Sequence, residues 1–361
     1  MIRPETTALV HDWLTIPGGA EEVLRETLAL FPGTVFTAQY NPARFPWLKD
    51  TVVKDTWVSK MPLSKTRHYL YAPILADVYR RMDLRGFKLI LTNSHTFAHH
   101  VRKPEGAVHI CYYHTPARSL WAPEIDDRAG DDPLRRLIAN RLRRLDLEAS
   151  KNPDVVLANS QTSAERIKRI YKRDVEEVIY PPVETANWVD VERESDDEGY
   201  LMWGRLIRYK KIDLAIDAAK LTGARLHIVG AGPYRQKLEE RAAGNPKIQF
   251  HGRLPDEELK ALMARCKAVL FPGYEDFGIV PVEAMAAGLP VVAFGRGGAS
   301  ETVSAECGVQ FDEQRPESLV AAMRTLEGRT YEPATLRARA ALYDSSVFRA
   351  KYKAAVERHA V

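Results

Sequence analysis

At 361 residues the chain has room for two domains of the usual ~100–200 residues. With 45% hydrophobic and 28% charged residues its composition is that of an ordinary globular protein, and no apolar run reaches the ~18–20 residues of a membrane span. Cys111, Cys266 and Cys307 are an odd, widely spaced set without a CxxC pair, which argues against a disulfide framework and a structural zinc site. The opening stretch "MIRPETTALVHDWL" lacks an export-type apolar segment, so a cytoplasmic chain with reduced thiols is expected. The net charge of +4 is unevenly spread: residues 1–182 carry 27 Lys+Arg against 22 Asp+Glu, and the remainder 25 against 26. The excess lies in basic runs at 78–88 and 135–146 and favours an anionic partner, whether lipid headgroup, phosphate or nucleic acid.

In chain order, "TTALVHDWL" reads as a short buried strand and "AEEVLRETLALF" as a helix with apolar residues at helical spacing. Further strands follow at "TVFTAQY", "KLILTNS" and "AVHICYYH". Residues 132–151 read as a long amphipathic helix, with Asp132 as N-cap and Pro133 in its first turn. Strand "DVVLANS" and helix "QTSAERIKRIY" lead to Pro181-Pro182, two adjacent prolines that continue neither helix nor central strand and so mark a linker. The polar stretch "DVERESDDEG" comes next. A second alternation begins at "YLMWGRL" and runs through "KIDLAIDAAKL", "ARLHIVG", "YRQKLEERAA", "IQFHG", "DEELKALMARC", "KAVLFPG", "PVEAMAA" and "PVVAF". Alternating strands and helices predict an α/β fold of two Rossmann-like domains, with parallel sheets facing across a cleft. The expected boundaries are 1–182, 183–335, and a helical segment 336–361 that packs back on the first domain.

Ligands of open α/β sheets bind beyond the carboxyl ends of the strands. Two carboxylates stand there in "FPGYEDFGIVPVEAMAAGLPVVAFGRGG": Glu275 in the loop after a strand, and Glu283 in the first turn of a helix that Pro281 opens and Gly288 ends. Alone, Glu283 is explained by the helix dipole and Glu275 by solvation. Together they suit a polyhydroxylated ligand, with Phe277-Gly278 allowing close backbone approach. Arg205 and Lys210 follow the first strand of the second half and are the cations suited to a diphosphate. Gly18-Gly19 precede the first helix, whose exposed N–H groups form an anion site.

The stretch "EDFGIVPVE" resembles the signature of retaining glycosyltransferases of family 4, which have the GT-B fold. Five other segments resemble the same family: "HDWLTIPGGAEEVL", "CYYHTPARSLW", "ANSQTSAERI", "GRLIRYKKID" and "VGAGP", the last with Gly230 and Gly232. The likeness runs from about residue 8 to 325 and leans toward mannosyltransferases of surface-polysaccharide assembly. The resemblance implies that Glu283 holds the nucleotide ribose, that Glu275 holds the donor sugar beside the backbone of Phe277, Gly278 and Ile279, and that His114 faces the reacting sugar. It also implies front-face attack in which the leaving phosphate takes the acceptor's proton, so no enzyme nucleophile is named. One position departs from the family: Lys211 stands where glycine is common.

The expected activity is transfer of a hexose, foremost mannose from GDP-mannose, to a saccharide or polyprenyl-linked acceptor, without metal or resident cofactor. A UDP-sugar-dependent glucosyl- or galactosyltransferase is the alternative within the fold. A non-catalytic anion or nucleic-acid binder is the alternative outside it. The dinucleotide fingerprint is incomplete, because Arg235 stands where its third glycine belongs. Asp-x-Asp and HExxH are absent, and His95, His99, His100 and His109 form only a loose group. The run 67–81 interleaves Tyr69, Tyr71 and Tyr79 with Arg67, Arg80 and Arg81, a composition suited to an anionic membrane at the inner face of the cell.

Overall fold

The computed structural model describes residues 2–122, 133–194 and 198–360. The chain divides into two units: Met1–Pro182 with Ser346–Val361, and Val183–Ser345. In the first, β1 (Thr7–His11), β2 (Thr34–Thr37), β3 (Val53–Lys54), β4 (Leu89–Ser94), β5 (Val108–Tyr113), β6 (Val155–Ala158) and β7 (Glu177–Val178) form a parallel sheet ordered β3-β2-β1-β4-β5-β6-β7. Every residue of β1 and β4 is buried, as expected of strands covered on both faces. The helices are α1 (Gly19–Leu30), α2 (Ala72–Arg80), α3 (Arg118–Trp121), α4 (Pro133–Ala149) and α5 (Gln161–Tyr171). Asp132, the expected N-cap of α4, lies outside the described residues, as does part of the polar stretch after the linker.

The second unit repeats the plan. Strands β8 (Tyr200–Trp203), β9 (Leu226–Val229), β10 (Ile248–Gly252), β11 (Ala268–Phe271), β12 (Val291–Phe294) and β13 (Gly308–Phe311) are ordered β10-β9-β8-β11-β12-β13, all parallel. Its helices are α6 (Ile212–Thr222), α7 (Arg235–Ala242), α8 (Asp256–Arg265), α9 (Ile279–Ala286), α10 (Ala299–Thr302), α11 (Pro316–Glu327) and α12 (Pro333–Ala341). Residues 336–341 thus belong to a helix of the second unit, where the guanidinium of Arg337 donates to the Val191 carbonyl at 2.8 Å. The chain returns to the first unit at Ser345–Ser346, and α13 (Ser345–His359) buries Phe348, Tyr352, Ala355 and Val356 with Tyr112 and Leu157 of the first sheet.

Tyr79 does not belong to the exposed face expected of residues 67–81. It is fully buried, and its hydroxyl meets the backbone carbonyls of His11 and Asp12. Its place on α2 turns it into the core, while Arg67 and Tyr69 stay exposed. The three cysteines are free and buried.

Candidate functional site

Both sheets reverse strand order beside their first strand, and the carboxyl ends of the two strands flanking that reversal form the natural ligand crevice. In the second unit those strands are β8 and β11. The loop after β8 carries Arg205, which is exposed, and ends in a single 3-10 turn, Arg208–Lys210. The loop after β11 carries Glu275. The Lys210 ammonium donates to Glu275 Oε1 at 2.6 Å, with each side chain 16% exposed. Lys210 also lies 5.9 Å from the centre of the Phe271 ring. Lys211 adopts φ 53°, a left-handed conformation that costs glycine nothing and other residues about 1–2 kcal/mol. This gives a backbone reason for the family's glycine at that position.

Glu283 belongs to α9, which begins at Ile279 after Gly278 as N-cap at φ 84°. Pro281 is therefore the third helical residue rather than the first, and Glu283 lies just past the first turn. Side-chain position, more than the helix dipole, governs this carboxylate. The indole Nε1–H of Trp203, the last residue of β8, donates to Glu283 Oε2 at 3.0 Å. Burial pushes the Glu283 carboxyl above its usual range, against the Trp203 hydrogen bond and the nearby Lys210 charge. A narrow cavity lined by Trp203, Lys210, Phe271, Glu275 and Val280 lies among these groups. Sequence reasoning missed Trp203, although its place one residue before "GRL" at a strand end was the available signal.

Three close backbone approaches set the loops. Gly230, at φ 133°, lies against the loop after β8, and a Cβ there would fall 1.9 Å from the Gly204 carbonyl oxygen. Gly298 lies under the loop after β11: its N–H donates to the Glu275 carbonyl at 2.9 Å, and a Cβ would fall 2.1 Å from the Phe277 Cα. Gly232 abuts the Leu206 carbonyl in the same manner. Phe277 is buried, 5.8 Å from the Tyr343 ring, which leaves its backbone rather than its side chain for a ligand. Replacing Gly230 with alanine is expected to cost at least ~3 kcal/mol and to lower the melting temperature by about 10 °C. An unchanged thermal transition would show that the loop can yield.

In the first unit the reversal lies between β1 and β4. Gly18 is the N-cap of α1 and Gly19 its first residue. Asn93, near the end of β4, donates from Nδ2 to the Ala20 carbonyl at 2.7 Å and accepts from the ring of His114, the residue after β5. His114 and the start of α1 are thereby tied to one asparagine. Asp12 is fully buried and accepts four backbone N–H groups, from His95, Thr96, Phe97 and Ala98 at 2.5–2.8 Å. Burial opposes its charge, yet His95 and those N–H groups hold its carboxyl below the usual range.

The loose histidine group resolves into separate sites. His95 lies near Asp12, with its Nδ1 3.7 Å from Oδ2, and beside the His11–Glu21 contact at 3.3 Å. His99 and His100 both turn to the buried Asp146 at 3.1 Å, which also accepts from Trp121 at 2.6 Å and Tyr171 at 2.8 Å. Burial works against that carboxylate, and the two histidines hold its pKa low nonetheless. His109 meets Thr92 Oγ1 at 3.1 Å. Among the described residues, His11, Glu21 and His95 form one set close enough to share an ion, and His99, His100 and Asp146 another.

Residues 18–187 match the family described as Glycosyltransferase Family 4, and residues 185–341 match Glycosyl transferases group 1. The chain belongs to these glycosyltransferases. The GDP-mannose-dependent alpha-(1-6)-phosphatidylinositol dimannoside mannosyltransferase of Mycobacterium tuberculosis is 38% identical over 133 residues, covering 35% of this chain and 34% of that protein. The alpha-1,3/1,6-mannosyltransferase ALG2 of Homo sapiens is 27% identical over 206 residues, covering 48% and 50%. The chain thus matches these curated relatives over a third to a half of their length. Among solved structures, Anabaena HepE in complex with UDP-glucose aligns with a TM-score of 0.71 at 20% identity, covering 98% of this glycosyltransferase and 99% of HepE. Sucrose-phosphate synthase from Thermosynechococcus elongatus aligns at 0.69 and 18% identity, covering 98% of each chain. At such identities the likeness is one of fold, and the fold is the GT-B type expected from the sequence.

Proposed function

We propose that the chain is a retaining, metal-independent hexosyltransferase that moves mannose from GDP-mannose to a saccharide or polyprenyl-linked saccharide acceptor. The observation that carries this reading is the pairing of Lys210 with Glu275 and of Trp203 with Glu283 at the strand-order reversal of the second unit. In this reading Glu283 accepts from ribose hydroxyls, and Glu275 from hydroxyls of the donor sugar. Arg205 and Lys210 take the diphosphate, whose charge grows as the bond from the sugar C1 to the phosphate oxygen breaks. The bond from C1 to the acceptor oxygen forms on the same face, and the acceptor's proton passes to the departing phosphate. In the same reading His114 faces the reacting sugar, and Gly18 and Gly19 at the start of α1 bind the donor. GDP-mannose is favoured because the Mycobacterium tuberculosis relative carries that donor in its name. A UDP-sugar donor is the second reading, favoured by the UDP-glucose bound in HepE.

Titration calorimetry of GDP, UDP and ADP, then of their mannose, glucose and galactose conjugates, in the presence of chelator, tests both readings. Selective binding of GDP and GDP-mannose is the expected result. Preference for UDP would retain the transferase and overturn the mannosyl donor. Binding that appeared only on adding a divalent cation would overturn metal independence.

A further inference from the structure

We propose that Asn93 is the positioning residue for His114: it fixes the plane of the histidine ring and the ring nitrogen that carries the proton. The proposal rests on the reading in which His114 faces the reacting sugar. Asn93 is the fifth residue of β4, beside β1 at the strand-order reversal, and is 4% exposed. On its face of the strand it follows Leu89 and Leu91, which pack in one core cluster with Tyr112 and Leu157. A leucine at position 93 would continue that apolar row. A buried amide is costly unless its ends are bonded, so the bonds it makes are what explain it.

Those bonds have a fixed direction. The Ala20 carbonyl, in the first turn of α1, can only accept, so the amide atom 2.7 Å from it is Nδ2. Oδ1 is thereby turned to the His114 ring, where it can only accept from Nε2. Nε2 therefore carries the proton, and in the neutral ring Nδ1 is the acceptor. A sugar hydroxyl that meets Nδ1 donates to it. Reversing the amide would set its oxygen against the Ala20 carbonyl oxygen, so the start of α1 holds the tautomer of His114 through Asn93.

The backbone of His114 is pinned separately. Its N–H donates to the Ser94 carbonyl at 2.9 Å, and its carbonyl accepts from Ser163 Oγ, on α5, at 2.6 Å. These bonds set where the residue sits and leave the ring to its side-chain torsions. The rings of Tyr112 and His95, with centres 5.3 and 6.3 Å away, meet it at steep angles and shape its space without choosing a nitrogen. Asn93 makes that choice. A ring held in place beforehand needs no reorganisation when the sugar reacts, so the effect falls on turnover more than on donor binding.

Two-bond proton–nitrogen NMR of the full chain with isotope-labelled histidine reads the tautomer directly, at about pH 8, above the usual imidazole range. The His114 signals are those lost in His114→Gln. The expected result is an Nε2–H ring in the wild type. Asn93→Leu, of similar size, and Asn93→Ala are each expected to mix the two tautomers and to lower kcat about ten- to a hundredfold, with donor KM within about threefold of wild type. Should Asn93→Leu fail to fold, the wild-type spectrum and Asn93→Ala decide the matter. An Nδ1–H ring in the wild type would overturn the proposal, as would unchanged kcat in the Asn93 variants where His114→Gln is impaired. A raised KM at wild-type kcat would assign Asn93 to the start of α1 alone and overturn it too. Full activity of His114→Gln would sink the reading of His114 itself, and the proposal with it.

Discussion

Alanine at position 210 is expected to reduce sugar transfer by about a hundred- to a thousandfold, the scale on which one preorganised charge stabilises a departing anion. Lys210 is the more sheltered of the two cations proposed for the diphosphate, being 16% exposed where Arg205 is open to solvent. Its substitution also strands Glu275, a carboxylate equally sheltered and bonded to it at 2.6 Å. That loss should cost about 1–2 kcal/mol, between the values for exposed and buried ion pairs. The chain should therefore fold and melt a few degrees early while losing its activity. Glu275→Ala is expected to act in the same direction, and the double variant should be no worse than the poorer single one, because the two side chains act as one unit. Radiolabelled-sugar transfer alongside thermal melting separates the cases. An unfolded Lys210→Ala chain would make the lysine structural, and a fully active one would remove it from the donor site.

Donor affinity should rise with pH through the acid range and then level off, with Glu283 as the controlling group. Burial lifts its carboxyl above the ordinary value, and ribose hydroxyls donate more strongly to the ionised form than to the neutral one. The sugar nucleotide is a diphosphate diester with no proton of its own to lose in this range, so the protein carboxylate sets the curve. In Glu283→Gln the pH dependence should vanish and affinity at neutral pH should fall about ten- to a hundredfold, the worth of a hydrogen bond to a charged group. In Trp203→Phe the midpoint should move to higher pH, since the indole hydrogen bond, with the Lys210 charge, is what offsets burial. Stability of the ligand-free chain runs the other way. A carboxyl raised in the folded state costs stability as pH climbs from its unfolded value through its folded one, so Glu283→Gln should stabilise the ligand-free chain at neutral pH and match wild type in acid. Calorimetry across pH, paired with denaturant titration, checks both signs. A flat wild-type affinity profile would remove Glu283 from the donor contact.

The α/β alternation was legible because fully buried parallel strands carry short apolar runs, Ala8–Val10 in β1 and Leu89–Leu91 in β4, and because Pro181-Pro182 falls where the first unit ends. Glu275 and Glu283 could be placed beyond a strand end because strand, loop and helix are contiguous there. What escaped depends on partners distant in sequence. Trp203 and Glu283 meet across 80 positions, and Asp12 finds its four N–H donors more than 80 residues away. Tyr79 looked like part of an exposed basic stripe because composition cannot tell which side of a helix meets the sheet; its hydroxyl instead bonds the chain leaving β1. Helix α11 went unread, as did strand β13, which lies at the edge of its sheet, and α12 was read only in part, as the start of the segment 336–361.

The return of α13 to the first unit has a consequence for the order of events during synthesis. The second unit is contiguous, so its core can close once residue 345 has left the ribosome. The first unit, although made first, waits for Phe348, Tyr352, Ala355 and Val356 to cover one face of its sheet. Until then that face stays open, and the earlier-made half of the protein is the one in need of protection from aggregation.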